Sequence, residues 1–332
     1  MNTKTAYIND VGVNGLSISL EESNNGKRME WTASLISTEI DKILEKNPQG
    51  CVHSVFTNSF NLVFGESLVH VGALENGLAP FGIGLNQNDV QKLIGQIRNK
   101  QSVSWDKLSR KLVFTEGIIL SLNQVESKSH SFTKRRINQT NLMDNFHYVS
   151  NKFLESDWLP GLAQTAEEKK SIVNFLLSKL LLSSDFQLLN EMNHLVKLVQ
   201  GDQTVNPASV FNYWIGRGLG LTPSGDDVLT GVCAILSSLY GTQGTFQEQL
   251  KRYLLVYGRK RTTHIAYEYL LYATENKFHS HLIQMCNVMD HPLGSEFLKS
   301  LEEMKQIGHT SGTDTLLGIL LGIKALHIEK SL

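Results

Sequence analysis

From Ala6 to about Leu122 the apolar residues fall in short runs broken by Gly, Asn, Ser and Pro: CVHSVF, FNLVF, SLVHVGAL, FGIGL, KLVF and GIILSL. Runs of that length and composition predict strands. One helix interrupts them near residues 89–97, where Val90, Leu93, Ile94 and Ile97 recur at helical spacing and Asn88 or Asp89 offers an N-cap. After Ile137 the period changes. The segments NLMDNFHYVSNKFL, EEKKSIVNFLLSKLLL, DFQLLNEMNHLVKLV, FQEQLKRYLLVYG and THIAYEYLLYA repeat their apolar positions every three or four residues and predict amphipathic helices. Strands followed by a run of helices, without regular alternation, give an α+β fold rather than a doubly wound parallel sheet.

Between the two patterns lies NQVESKSHSFTKRR, residues 123–136, polar and ending in Lys134, Arg135 and Arg136. It predicts a boundary, with a β-rich domain over 1–125 and a helical domain over 126–332. The three basic residues read as a solvated surface, with anion binding as the alternative.

At 332 residues the chain exceeds the usual single domain, consistent with two parts. Its net charge of -1 gives no overall field for nucleic acid or an anionic membrane, so a small-molecule partner is the default. Cys51, Cys233 and Cys286 lie far apart, without zinc or redox-dithiol spacing, and read as reduced, buried thiols. The opening MNTKTAYINDVGVNG lacks the pattern of a secretory signal, and no run approaches the roughly 20 apolar residues of a membrane span. The expected location is cytoplasmic.

The densest local signal is GRGLGLTPSGDD over 216–227, followed by the apolar stretch VLTGVCAILSSLY. Three alternating glycines and a proline cannot form a helix interior, so a close-approaching loop leads into a helix that begins at about Gly225. The same design returns at His309, Thr310, Ser311, Gly312, Thr313 and Asp314, followed by TLLGILLGIKAL. SGDDVLTG at 224–231 aligns with SGTDTLLG at 311–318. Both helices are apolar on nearly every face, which predicts burial.

A buried helix N-terminus presents amides that need acceptors and carries partial positive charge. Two answers stand open. Ser224 with Asp227, and Ser311 with Asp314, fit the capping-box spacing and could complete each helix start internally. Alternatively the starts hold an anion, with Gly218, Gly220, Thr222, Ser224, Gly225, Thr310, Ser311 and Gly312 forming the cradle and Arg217 supplying charge. Asp226 is left without a capping partner and reads first as a complement to the helix dipole, with Mg²⁺ or a substrate nitrogen as other uses. A third cluster, Arg259 to His264, places Arg261, Thr262 and Thr263 at another helix head, where a threonine could equally be only an N-cap. His309 is the best placed of the eleven histidines for proton transfer, although a structural hydrogen bond is the commoner role. Phosphate-loop, serine-hydrolase elbow and metalloprotease patterns are absent.

With those residues in view the chain resembles the AllH family, a subunit of bacterial oxamate carbamoyltransferase. The likeness rests on GLGLTPSGDDVLTG at 218–231, RTTHIAYEYLLYA at 261–273 and HTSGTDTLLGILLG at 309–322, and more loosely on HSVFTNSFNL and APFGIGL. The resemblance implies phosphorolysis of an N-carbamoyl compound, interconverting oxalurate and phosphate with oxamate and carbamoyl phosphate late in allantoin and purine breakdown. It also implies FdrA-like and AllG-like partner subunits. No cofactor or metal is expected, because a preorganised pocket can stabilise the charge that develops on attack at the carbamoyl carbon. On this reading the two helix starts, with Arg217 and Arg261, bind phosphate and the substrate carboxylate, and His309, Asp226, Asp227 and Asp314 are the catalytic candidates. The alternatives are a noncatalytic scaffold or regulatory subunit, with Gly231, Gly318 and Gly322 serving helix packing or a partner interface, and a binding protein for another anionic metabolite such as a nucleotide.

Overall fold

A computed structural model describes residues 28–163, 165–178, 186–241 and 244–328. The strand pattern expected between Ala6 and Lys27 lies outside these residues. The architecture is α+β, a curled sheet followed by helices.

Ten described strands form one sheet: β1 (Met29–Thr32), β2 (Leu35–Ser37), β3 (Gln49–Val55), β4 (Ser59–Phe64), β5 (Ser67–Ala73), β6 (Gly82–Leu85), β7 (Ser102–Asp106), β8 (Lys111–Phe114), β9 (Ile118–Ser121) and β10 (Glu126–Lys128). Their order is β1-β9-β8-β7-β3-β4-β5-β6-β2-β10. Only Ala33 and Ser34 separate β1 near one end of that order from β2 near the other. Ala33 donates its amide to Ser121 of β9 at 3.0 Å, and Ser34 donates to Gly84 of β6 at 2.8 Å. Two successive amides therefore bridge strands from opposite ends of the order, which forces the sheet to curl until its ends adjoin. Cross-strand pairs such as Leu62 with Val69 and Phe60 with Val71 supply its buried face. The sheet core also takes Ile40, Ile43 and Leu44 of α1 (Ile40–Lys46) and Val90 and Leu93 of α2 (Gln87–Ile94).

The cap of α2 differs from expectation. Asn86, in an extended conformation, accepts the Asp89 amide at 2.9 Å, so the helix begins before either Asn88 or Asp89 could cap it.

The helical half contains α3 (Gln139–Lys152), α4 (Ala166–Leu177), α5 (Gln187–Val199), α6 (Pro207–Trp214), α7 (Ser224–Tyr240), α8 (Thr245–Tyr253), a π-helical turn (Leu254–Gly258), α9 (Arg259–Arg261), α10 (His264–Ala273), α11 (Ser280–Val288), α12 (Ser295–Lys305) and α13 (Ser311–Ile328). α7 and α13 form the centre of its core, as their all-round apolar sequences predict. They run in the same direction with adjoining N-termini. A Cβ on Gly231 would lie 2.1 Å from the Thr315 carbonyl, and one on Gly318 would lie 2.1 Å from the Val228 carbonyl. Val228 and Thr315 occupy the same place in the two aligned segments, so the contact is reciprocal and the repeated sequence forms a local two-fold pair. The glycines serve packing within the chain.

The basic boundary segment is not wholly solvated. Lys134 and Arg136 are exposed, but Arg135 pairs with buried Asp290 at 2.6 Å and donates to the Cys286 carbonyl at 3.2 Å. His130 and Phe132 beside it are buried, so the segment is stitched to the helical core. Cys233 and Cys286 are free and buried as expected. Cys51 is free but only half-buried on β3.

Candidate functional site

The glycine loop, the two serine junctions and the threonine pair, separated by up to about a hundred residues, meet at one place. The loop itself needs glycine. Gly216, Gly218 and Gly220 have φ of 78°, 116° and 91°, values that side chains resist. Gly216 also packs so closely on the Arg261 backbone that a Cβ would strike its carbonyl. Asp226 ties the pieces together, accepting the Gly216 amide at 3.0 Å and the Thr262 hydroxyl. Its side chain thus fastens the loop to the end of α9. Burial pushes its pKa up to about 6, against the opposing hydrogen bonds of Thr262 and Gly216. Next to it, Thr263 is the N-cap of α10, accepting the Ala266 amide at 3.1 Å, while its hydroxyl donates to the Leu221 carbonyl.

The S-x-x-D segments do not form capping boxes. Pro223 is the N-cap of α7 and supplies no side-chain cap. The serines instead exchange partners across the two-fold pair: Ser224 hydrogen-bonds to Asp314, and Ser311 to Asp227. Thr310 joins the first pair. Thr222 joins the second, with its hydroxyl 2.8 Å from that of Ser311. Gly161, from the turn after Pro160, donates its amide to Asp314 at 2.9 Å, and its missing side chain leaves room for the Ser224 hydroxyl.

Two carboxylates, one per helix, therefore sit in a shared hydroxyl cage. Asp314 is fully buried, and burial raises its pKa to about 6. Asp227 is raised well above the usual carboxylate range, first by burial and then by the charge of Asp314. Its Oδ2 is occluded without a hydrogen-bond partner among the described residues. Like charges in a low-dielectric site disfavour double ionisation, so the pair favours holding a proton. Tyr269 of α10 approaches this pair. Its hydroxyl is pushed up by burial and by Asp227, and its ring lies 4.9 Å from Phe81 of the sheet half. The pair thus lies close to the seam between the two halves.

The first-turn amides of both helices are largely engaged by backbone. Gly225 donates to the Arg217 carbonyl at 2.8 Å, and Asp226 and Asp227 both donate to that of Pro223, at 2.9 and 3.2 Å. On α13, Gly312 donates to Ile307 at 3.0 Å and Asp314 to Thr310 at 2.9 Å. Arg217 is exposed and stacks over Tyr213 at 4.1 Å, while Arg261, also exposed, donates to the Asn212 carbonyl. His309 is exposed on the turn preceding Ser311. Among the described residues no group of three or more His, Cys, Asp or Glu side chains is placed to hold a metal.

The structure brings together Arg217, Gly218, Thr222, Ser224, Gly225, Asp226, Asp227, Arg261, Thr262, Thr263, Thr310, Ser311, Gly312 and Asp314. Gly220 stands apart in open space, with nothing within 4 Å of where its Cβ would be. Sequence reasoning missed Gly161 and Tyr269. The Pro160–Gly161 turn was the only signal for the first, and Tyr269 sat unremarked inside the RTTHIAYEYLLYA segment.

No described helix is long and apolar enough to cross a membrane. No solved structure matches the chain. The family described as oxamate carbamoyltransferase subunit AllH matches residues 214–323, which span the glycine loop, both serine junctions and the threonine pair. The AllH family N-terminal domain matches residues 29–128, the whole curled sheet. Together the two matches cover most of the chain, which belongs to the AllH family.

Proposed function

We propose that this chain is a subunit of a carbamoyltransferase that interconverts oxamate and carbamoyl phosphate with oxalurate and phosphate, in purine and allantoin catabolism. Toward oxalurate, the oxamate nitrogen attacks the carbamoyl carbon, the bond from that carbon to the phosphate oxygen breaks, and the nitrogen loses a proton. The reaction needs a group that takes that proton and returns it in the other direction. The Asp227–Asp314 pair is built for this, because a carboxylate whose pKa is raised toward the working pH both accepts and releases a proton readily. The hydroxyls of Thr222, Ser224, Thr310 and Ser311 hold the pair in place. Asp226 with Thr262 and Thr263 sets the loop position. His309, at the exposed turn, exchanges the proton with solvent.

The observation that carries this reading is the exchange of serine and aspartate partners between α7 and α13, inside the segment matched by a family named for carbamoyl transfer. The named subunit status supports partner chains, for which FdrA-like and AllG-like proteins are our choice, and a cytoplasmic site of action. The test is phosphate release from carbamoyl phosphate and oxamate by the chain, with and without those partners.

A second reading, a noncatalytic scaffold within the same complex, draws support from the first-turn amides, which already have backbone acceptors. Full activity of a reconstituted complex carrying Asp227→Asn and Asp314→Asn together would establish it.

A further inference from the structure

The two arginines of the site line a surface depression that the two aspartates do not reach. This open depression of about 520 Å³ is lined by Arg217, Arg261, Tyr213, Asn212, Ser209 and Glu191, with the Gly216 backbone beside them. Ser224, Ser311, Asp227 and Asp314 are not part of its lining. Its size lies within the range of small-ligand sites.

Charge decides what this space takes. Neither Arg217 nor Arg261 makes an ion pair among the described residues. The single acid on the wall, Glu191, lies 3.2 Å from His194. Two cations against one carboxylate leave the lining net positive even with Glu191 ionised. Each guanidinium group has one anchor: Arg217 sits over the Tyr213 ring at 4.1 Å, and Arg261 donates through one nitrogen to the Asn212 carbonyl. Their remaining N–H groups have no acceptor among the described residues. Pre-positioned planar donors of this kind suit an oxyanion with two or more oxygens. The helix starts, by contrast, suit an anion poorly. Most of their first-turn amides already have backbone acceptors, and each start carries a buried aspartate.

We infer that the Arg217–Arg261 depression is a separate oxyanion subsite, which holds the phosphate or carboxylate end of a ligand apart from the Asp227–Asp314 centre. The inference rests on the carbamoyl-transfer reading only for which oxyanions are natural ligands. The glycine loop then has a further purpose, because the bare Gly216 backbone lines this space.

Calorimetric titration of the full chain with inorganic phosphate, and separately with oxamate, tests this without requiring turnover. Binding of at least one is expected, and which one binds tells phosphate from carboxylate. Arg217→Ala and Arg261→Ala are each expected to weaken it about 10- to 100-fold, the loss typical of one charge-assisted contact. Arg217→Lys should recover only part, because an ammonium cannot offer two parallel donors. Ser311→Ala should leave the affinity within about twofold. Thermal melting of each variant separates lost binding from lost folding. Three results overturn the subsite: neither anion binds, binding survives both arginine changes while the proteins stay folded, or binding is lost in Ser311→Ala instead. Absence of carbamoyl transfer alongside arginine-dependent binding would remove the proposed reaction and leave the subsite standing.

Discussion

Fully buried Asp314 and half-buried Asp227, one from the first turn of each parallel helix, face each other and hydrogen-bond to the serine of the opposite helix. Each carboxylate would be more costly without the partner helix, so the site exists only while α7 and α13 are paired. The pairing in turn depends on three glycines along the crossing.

Gly231→Ala and Gly318→Ala should each destabilise the chain by about 1–3 kcal/mol or more, because the added methyl meets a backbone carbonyl that cannot rotate away. Gly322→Ala should cost less, since its methyl would meet the Ile235 side chain. Urea unfolding of the three variants checks the ranking.

The raised aspartates set a pH dependence with a definite sign. Asp226 and Asp314 titrate at about 6 in the folded chain against 3.8 as ordinary carboxylates. Between those values the folded state binds more protons than the unfolded state, so their stabilising contribution is full below pH 4 and is lost as pH rises toward 6. Asp314→Asn keeps an acceptor for the Gly161 amide and removes the titration. Its stability relative to wild type should therefore improve steadily from pH 4 to pH 7 in denaturant titrations, whereas a constant difference would show that Asp314 does not titrate there.

Ser224→Ala and Ser311→Ala each remove a donor from a buried carboxylate and should cost about 1–3 kcal/mol, with the larger effect at neutral pH where the acids are more ionised. The double variant should show non-additivity, because the two carboxylates interact with each other. Chemical denaturation of both single variants and the double gives the coupling.

His309→Gln tests the solvent relay. The exposed turn should tolerate the change with no loss of stability. Turnover in the assembled enzyme should fall about tenfold, with rescue by imidazole, if the side chain moves the proton.

Much of this was legible in the chain. The switch from short β-rich runs to helical periodicity marks the two halves because side-chain period follows backbone geometry directly. The aligned SGDDVLTG and SGTDTLLG segments marked the two buried helices, whose convergence was a premise that only the fold bears out. The partner exchange was not legible. Spacing makes Ser224 and Asp227 look like a capping box, and only tertiary packing shows that each serine has a nearer acid on the other helix. Asp226 reads as a dipole complement for the same reason, since its partners Gly216 and Thr262 are fixed by the fold rather than by neighbouring sequence. Helices α1, α6, α11 and α12 lie outside the periodic segments read from the chain. Arg135 looks solvated because its partner Asp290 lies far along the chain.

The most direct measurement is phosphate release from oxamate and carbamoyl phosphate by the chain assembled with its partner subunits, comparing wild type with Asp227→Asn and Asp314→Asn. The account predicts a loss of at least about 100-fold in each variant, the scale of general acid–base catalysis, with assembly preserved and both variants folded. Wild-type phosphate release by both variants would contradict it.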